Sequence, residues 1–107
     1  MTDDVLLRLA ATIRERRNAS ADKSYTRQLL DGGSARCARK FGEEALETVI
    51  AALQESDASL KAEAADLLYH LLVLLESRSV SIADVLSVLE GRMGMSGLEE
   101  KAARKAD

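Results

Sequence analysis

An all-α fold is predicted by three observations: the chain contains no proline, aromatic residues make up only 3%, and Ala, Leu, Glu, Lys and Arg dominate with apolar positions recurring at helical spacing. At 107 residues it is expected to form a single domain over 1–107. A chain of that size has one modest core, so burial against a partner would add to its stability.

The elements follow in order. Val5, Leu6, Leu9, Ala10 and Ile13 share one face of a first amphipathic helix over about 3–16. The polar stretch 18–23 reads as a loop. Ser24 can cap a short second helix running to Leu30, because its hydroxyl can accept a free backbone N–H, and Gly32-Gly33 supplies a left-handed stop. A third helix is predicted over 34–54. Advancing about 100° per residue puts Cys37, Ala38, Phe41, Ala45, Val49, Ala52 and Leu53 on one side, with Arg36, Lys40, Glu44 and Glu47 as a stripe on the other. Gly42 falls on the apolar side, where it would let a neighbouring helix come close. A fourth helix is predicted over 60–77, with Glu63, Asp66, His70 and Val73 in one stripe and Leu or Ala around it. Ser81 as N-cap, Asp84 in a capping-box position and Val80 stapled to Val85 start a fifth helix that Gly91 ends. Residues 92–107 read as a Gly- and charge-rich tail, flexible or short-helical, in which Ser96-Gly97-Leu98-Glu99 could cap one more short helix.

Bulk properties exclude several classes. The net charge of −3 offers no attraction to nucleic acid or an anionic membrane. The apolar run Leu67–Leu75 is far short of the roughly 20 residues of a membrane span. The N-terminal apolar stretch is interrupted by Arg8 and preceded by Asp3 and Asp4, unlike a secretory signal. A lone cysteine, Cys37, rules out an internal disulfide, and no Cys/His spacing suggests zinc. A reduced, cytoplasmic setting is expected, with Cys37 as a small core residue.

The chemistry resides in two acidic segments, Glu43-Glu44-x-x-Glu47 and Glu63-x-x-Asp66. The second runs into an apolar helix, where a carboxylate drawn out of water needs a partner, and no Lys or Arg lies between Asp66 and Glu76. A short linker makes the third and fourth helices an antiparallel hairpin. With the turn centred near Asp57, Glu47 lies level with Asp66 and Glu44 near the height of His70. Four carboxylates, Glu44, Glu47, Glu63 and Asp66, then converge and must protonate or hold a cation. Oxygen-only ligands suit Mg²⁺, with Mn²⁺ as a second fit. Arg36 and Lys40, upstream on the same stripe, can take phosphate oxygens, which points to a phosphate-chain substrate and hydrolysis by an attacking water. Glu43 or Glu44 is the candidate base. His70 is expected to be a satisfied core histidine or to support a ligand carboxylate, and Tyr69 to be packing. A homodimer is expected on the third and fourth helices, because a hairpin cannot by itself cover a fourth helix that is apolar on most sides.

Lys40-Phe41-Gly42-Glu43-Glu44-Ala45-Leu46-Glu47, followed by Glu63-Ala64-Ala65-Asp66-Leu67-Leu68-Tyr69-His70, resembles the phosphoribosyl-ATP pyrophosphatases of histidine biosynthesis. These belong to the all-α, MazG-like nucleotide pyrophosphohydrolases, marked by E-E-x-x-E and a distant E-x-x-D. Ser24-Tyr25-Thr26 with Leu29-Leu30, and the tail 96–101, resemble the same family, so the likeness covers about 24–101. Phe41 departs from it, standing where an aliphatic residue is usual. The resemblance implies Mg²⁺ ligands at Glu44, Glu47, Glu63 and Asp66, a phosphate contact at Lys40, and cleavage of phosphoribosyl-ATP to phosphoribosyl-AMP and pyrophosphate. A house-cleaning nucleoside triphosphate pyrophosphohydrolase of the same superfamily is the alternative reading. A non-catalytic metal-binding dimerisation module is a second, and Arg36 and Lys40 count against it.

Overall fold

Five α-helices and a 3₁₀ turn make up the computed structural model, which describes residues 5–93 and Arg104. Helix α1 spans Val5–Glu15 and runs into the 3₁₀ turn Arg16–Asn18; α2 spans Tyr25–Asp31, α3 Gly33–Gln54, α4 Asp57–Ser77 and α5 Ile82–Arg92. No strand occurs among the described residues, in keeping with the all-α expectation. The sixth helix expected near Ser96 lies outside them.

Local chemistry sets the boundaries. The Ser24 hydroxyl accepts the Arg27 N–H at 3.1 Å, capping α2 as predicted. Gly33 carries φ +85, a left-handed conformation that only glycine takes without strain, so α2 turns directly into α3 with no loop between them. Ser56 caps α4 by accepting the Ser59 N–H at 3.1 Å. Helix α4 therefore begins at Asp57, earlier than the predicted residue 60, and Glu55 and Ser56 alone link the hairpin. Ser81 caps α5 through the Ala83 N–H at 3.0 Å. Gly91 does not end α5, which runs on to Arg92.

The α3–α4 hairpin is the most extensive helix contact, and the other helices gather around one end of it. Ile13 of α1, Leu29 of α2, Cys37 of α3, Leu72 and Val73 of α4 and Ile82 of α5 form the buried core. All of these lie toward the end of the hairpin remote from its turn. The ion pairs of Glu76 with Arg17 and, at 3.9 Å, Arg14 clamp α1 and its 3₁₀ turn to the end of α4. Ser34 and Ser77, 3.0 Å apart, join the two helices of the hairpin at this same end.

The half of the hairpin near its turn has no such cover. Here the predicted facing of α3 is corrected: α4 docks on a seam containing Cys37, Thr48 and Ala51, and Glu44 lies on that seam too. The apolar arc opposite is left open, with Leu46 61%, Val49 54% and Leu53 78% exposed. The cause is steric, since the smaller residues of the seam let the helices approach while the branched side chains point outward. Gly42 is likewise exposed, and a Cβ built on it would meet nothing within 4 Å, so it eases no approach within this chain. Helix α4, apolar on most sides, is not covered on all of them within this chain, because Leu68 is exposed. The radius of gyration, 15.9 Å, exceeds the value of about 13 Å for a compact chain of this length, as a hairpin projecting from its core requires.

Candidate active site

The acidic segments meet at the middle of the hairpin. Thr48 ties the two helices together there: its hydroxyl lies 2.8 Å from the Glu44 carbonyl oxygen and 3.2 Å from that of Glu63 across the hairpin. This bridge centres the turn on Glu55–Ser56 rather than on Asp57. The shift in register replaces the expected level pairing of Glu47 with Asp66 by one that brings Glu44 to Asp66. One carboxylate oxygen from each of Glu44, Glu63 and Asp66 then lies within 4.8 Å of the others.

Glu63 is the pivot of this cluster. Its Oε1 is buried with no hydrogen-bond partner among the described residues. Withdrawal from water raises its pKa first, followed by the charges of Glu47, Asp66 and Glu44, and Glu47 is near enough to accept a hydrogen bond from the protonated form. Glu47 itself stands exposed at the margin of the three. An orphaned buried oxygen among converging carboxylates fits a hard divalent cation, which would satisfy the lone pairs and cancel the repulsion. The trio could hold a metal ion.

The basic residues of the stripe separate. Lys40 donates to Glu43 at 3.2 Å. That bond foremost, then Tyr25 and the charges of Glu43 and Glu44, raise its pKa and keep it cationic. Glu43 is exposed and outside the trio. Arg36 is exposed one turn before Lys40 with its stem against Gly32, and its charge acts on Cys37.

At the Lys40 end the cluster meets a small aromatic group. His70 is buried, and its ring lies between Tyr69, 5.0 Å away at 79°, and Tyr25, 6.3 Å away at 86°. Burial lowers its pKa; Glu44 and Asp66 oppose that shift while Lys40 adds to it, so the imidazole is neutral at neutral pH. Its burial is as expected, but no hydrogen bond of the imidazole, to a ligand carboxylate or to another group, occurs among the described residues. Tyr69 is packing, as expected, with its hydroxyl bonded to Thr26. The Cys37 thiol donates to the Leu29 carbonyl at 3.3 Å, and burial raises its pKa, as befits an inert core residue. Sequence reasoning missed two residues. Thr48 was detectable as a hydroxyl one turn beyond Glu44 on the same seam, whereas nothing local in α2 placed Tyr25 beside His70.

Comparison with known proteins decides the family. The phosphoribosyl-ATP pyrophosphohydrolase family profile matches residues 6–93. The chain belongs to that family. Within it, the chain is 58% identical over 97 residues to phosphoribosyl-ATP pyrophosphatase 1 of Bradyrhizobium diazoefficiens, covering 91% of this chain and 92% of the relative. It is 57% identical over 99 residues to the phosphoribosyl-ATP pyrophosphatase of Nitrobacter hamburgensis, covering 92% of each. With that of Cereibacter sphaeroides it shares 54% identity over 100 residues, covering 94% of this chain and 97% of the relative. The span matched to the phosphoribosyl-ATP pyrophosphohydrolase family takes in both acidic segments, Lys40 and the Tyr25–His70 contact. No helix of the described residues is long and apolar enough to cross a membrane.

Proposed function

We propose that this chain hydrolyses the α–β phosphoanhydride of phosphoribosyl-ATP, releasing pyrophosphate and phosphoribosyl-AMP, as a step of L-histidine biosynthesis in the cytoplasm. The observation that carries this reading is the cluster of Glu44, Glu63 and Asp66 in a chain more than half identical to proteins named for that activity. Mg²⁺ is the proposed ion, with Mn²⁺ as a substitute, held by Glu44, Glu63 and Asp66 with Glu47 from the margin. Bound there, it would supply charge neutralisation for the phosphates and the leaving pyrophosphate.

The chain's own groups do the rest. Lys40 takes a phosphate oxygen as a point charge, and Arg36, further out, supplies a weaker long-range attraction. Engaging a phosphate draws Lys40 away from Glu43 and frees that carboxylate as a base. We assign proton removal from the attacking water to Glu43 and leave Glu44 as a ligand, because a carboxylate bound to a metal is the poorer base. The water adds its oxygen to the α-phosphorus, its proton passes to Glu43, and the bond to the β-phosphate's bridging oxygen breaks.

The decisive assay supplies phosphoribosyl-ATP and Mg²⁺ and measures the phosphate product. Pyrophosphate release that stops with excess chelator is expected. Orthophosphate release would overturn the bond assignment, and equal turnover of ATP or dUTP would transfer the chain to the general triphosphate pyrophosphohydrolases. Lys40→Ala should raise KM roughly tenfold while Mg²⁺ affinity, measured by titration calorimetry, is unchanged or higher, since a nearby cation has gone. Unchanged kinetics would make Lys40 a solvated surface residue.

We further propose a homodimer formed on the open arc of α3. Leu46, Val49, Ile50 and Leu53 occupy one arc of the half-hairpin that the core does not reach, and all four are exposed. Such an arc needs cover, and a second copy offers the same surface in return.

A further inference from the structure

The substrate in the proposed reaction carries an adenine one ribose away from the scissile phosphates, and the structure provides one half-exposed aromatic ring beside His70, at the Lys40 end of the carboxylate cluster. The chain has three aromatic residues, Tyr25, Phe41 and Tyr69. Phe41 and Tyr69 are partly buried, and the Tyr69 hydroxyl is held by Thr26. Tyr25 is 50% exposed although its ring is fixed at one side by the perpendicular contact with His70. It stands at the first position of α2, oriented by the Ser24 cap. It lies within electrostatic range of Lys40, and His70 lies within range of Lys40, Glu44 and Asp66. Lys40 precedes Glu44 by one turn of α3 and His70 follows Asp66 by one turn of α4, so in the antiparallel hairpin both lie one turn from the carboxylates in the same direction, where the Tyr25 ring meets that of His70. Phosphates held at the carboxylate cluster and Lys40 leave the nucleoside nearest Tyr25. An aromatic ring open to solvent, rigidly backed and adjacent to a phosphate-binding cation, suits a purine face.

We propose that Tyr25 is the stacking platform for the adenine of the substrate, braced by His70. This rests on the reaction proposed above. The ring face acts rather than the hydroxyl, so Tyr25→Phe should keep KM for phosphoribosyl-ATP within about twofold, while Tyr25→Ala should raise it roughly 5- to 100-fold with kcat little changed. The chain has no tryptophan. Tyr25→Trp therefore keeps a stacking face and installs a single tryptophan, whose selectively excited emission should be quenched on titration with phosphoribosyl-AMP in the presence of chelator. A merely structural brace for His70 would lower the melting temperature and kcat of Tyr25→Ala and leave KM and the tryptophan emission unmoved; that result would overturn the proposal. If the unaltered protein releases no pyrophosphate from phosphoribosyl-ATP, the reaction reading fails and this inference fails with it. If the unaltered protein turns over and Tyr25→Ala keeps its KM, the stacking inference alone is lost.

Discussion

Glu63→Gln or Asp66→Asn is expected to cut pyrophosphate release by about a thousandfold or more, through loss of the charge neutralisation that a bound metal gives the transition state. The same changes should hold or raise the melting temperature of the metal-free protein, because each removes one of several mutually repelling carboxylates. Activity and stability thus move in opposite directions. The pH dependence follows from Glu63. Its folded-state pKa is raised, so in the metal-free protein the folded chain binds a proton more tightly than the unfolded chain does. The resulting stability is complete below the ordinary value of 4.5 and is lost as pH rises through the raised folded value. Melting curves in chelator should show that decline, Glu63→Gln should flatten it, and saturating Mg²⁺ should abolish it in the unaltered protein. Variants that unfold without any change in Mg²⁺ affinity would show the acids to be structural.

Leu46→Glu combined with Leu53→Glu should leave a folded monomer. Each side chain would be buried twice by two-fold symmetry, so losing both positions costs the dimer at least about 6 kcal/mol. That is about four orders of magnitude in its Kd. The core centred on Ile13, Leu29 and Val73 lies at the other end of the hairpin, so helicity by circular dichroism should persist. Light scattering coupled to size exclusion reads the result. An unaltered chain that is monomeric and active at micromolar concentration would overturn the dimer.

What the sequence revealed and what it withheld divide along the range of the forces involved. Helix starts at Ser24 and Ser81 were legible because a cap is a bond between neighbours in the chain. The gathering of carboxylates was legible because residues three apart on a helix share a face and a short linker fixes the antiparallel sense. The facing of α3 was not. Its apolar arc shows that Leu46, Val49 and Leu53 call for cover but not which surface gives it, and the closer fit of Cys37, Thr48 and Ala51 took α4 to a different side. Which glutamate meets Asp66 also escaped, since that depends on where the turn is centred, and Ser56 can begin a helix earlier than periodicity indicates. The Tyr25–His70 contact spans a separation in sequence that no local pattern bridges.

The two-residue link at Glu55 and Ser56 has a consequence for how this chain can change length. Each residue of an α-helix carries about 100° of rotation and 1.5 Å of rise. A connection this tight has little slack to absorb an insertion or deletion, so a residue gained or lost there would be passed on to α4 as a turn and a slide. Either motion would part Glu63 and Asp66 from Glu44 while leaving every one of those side chains in place in the sequence. Natural length variation should therefore be tolerated in the stretch between α1 and α2 and selected against at this junction, though neither Glu55 nor Ser56 contributes an atom to the cluster.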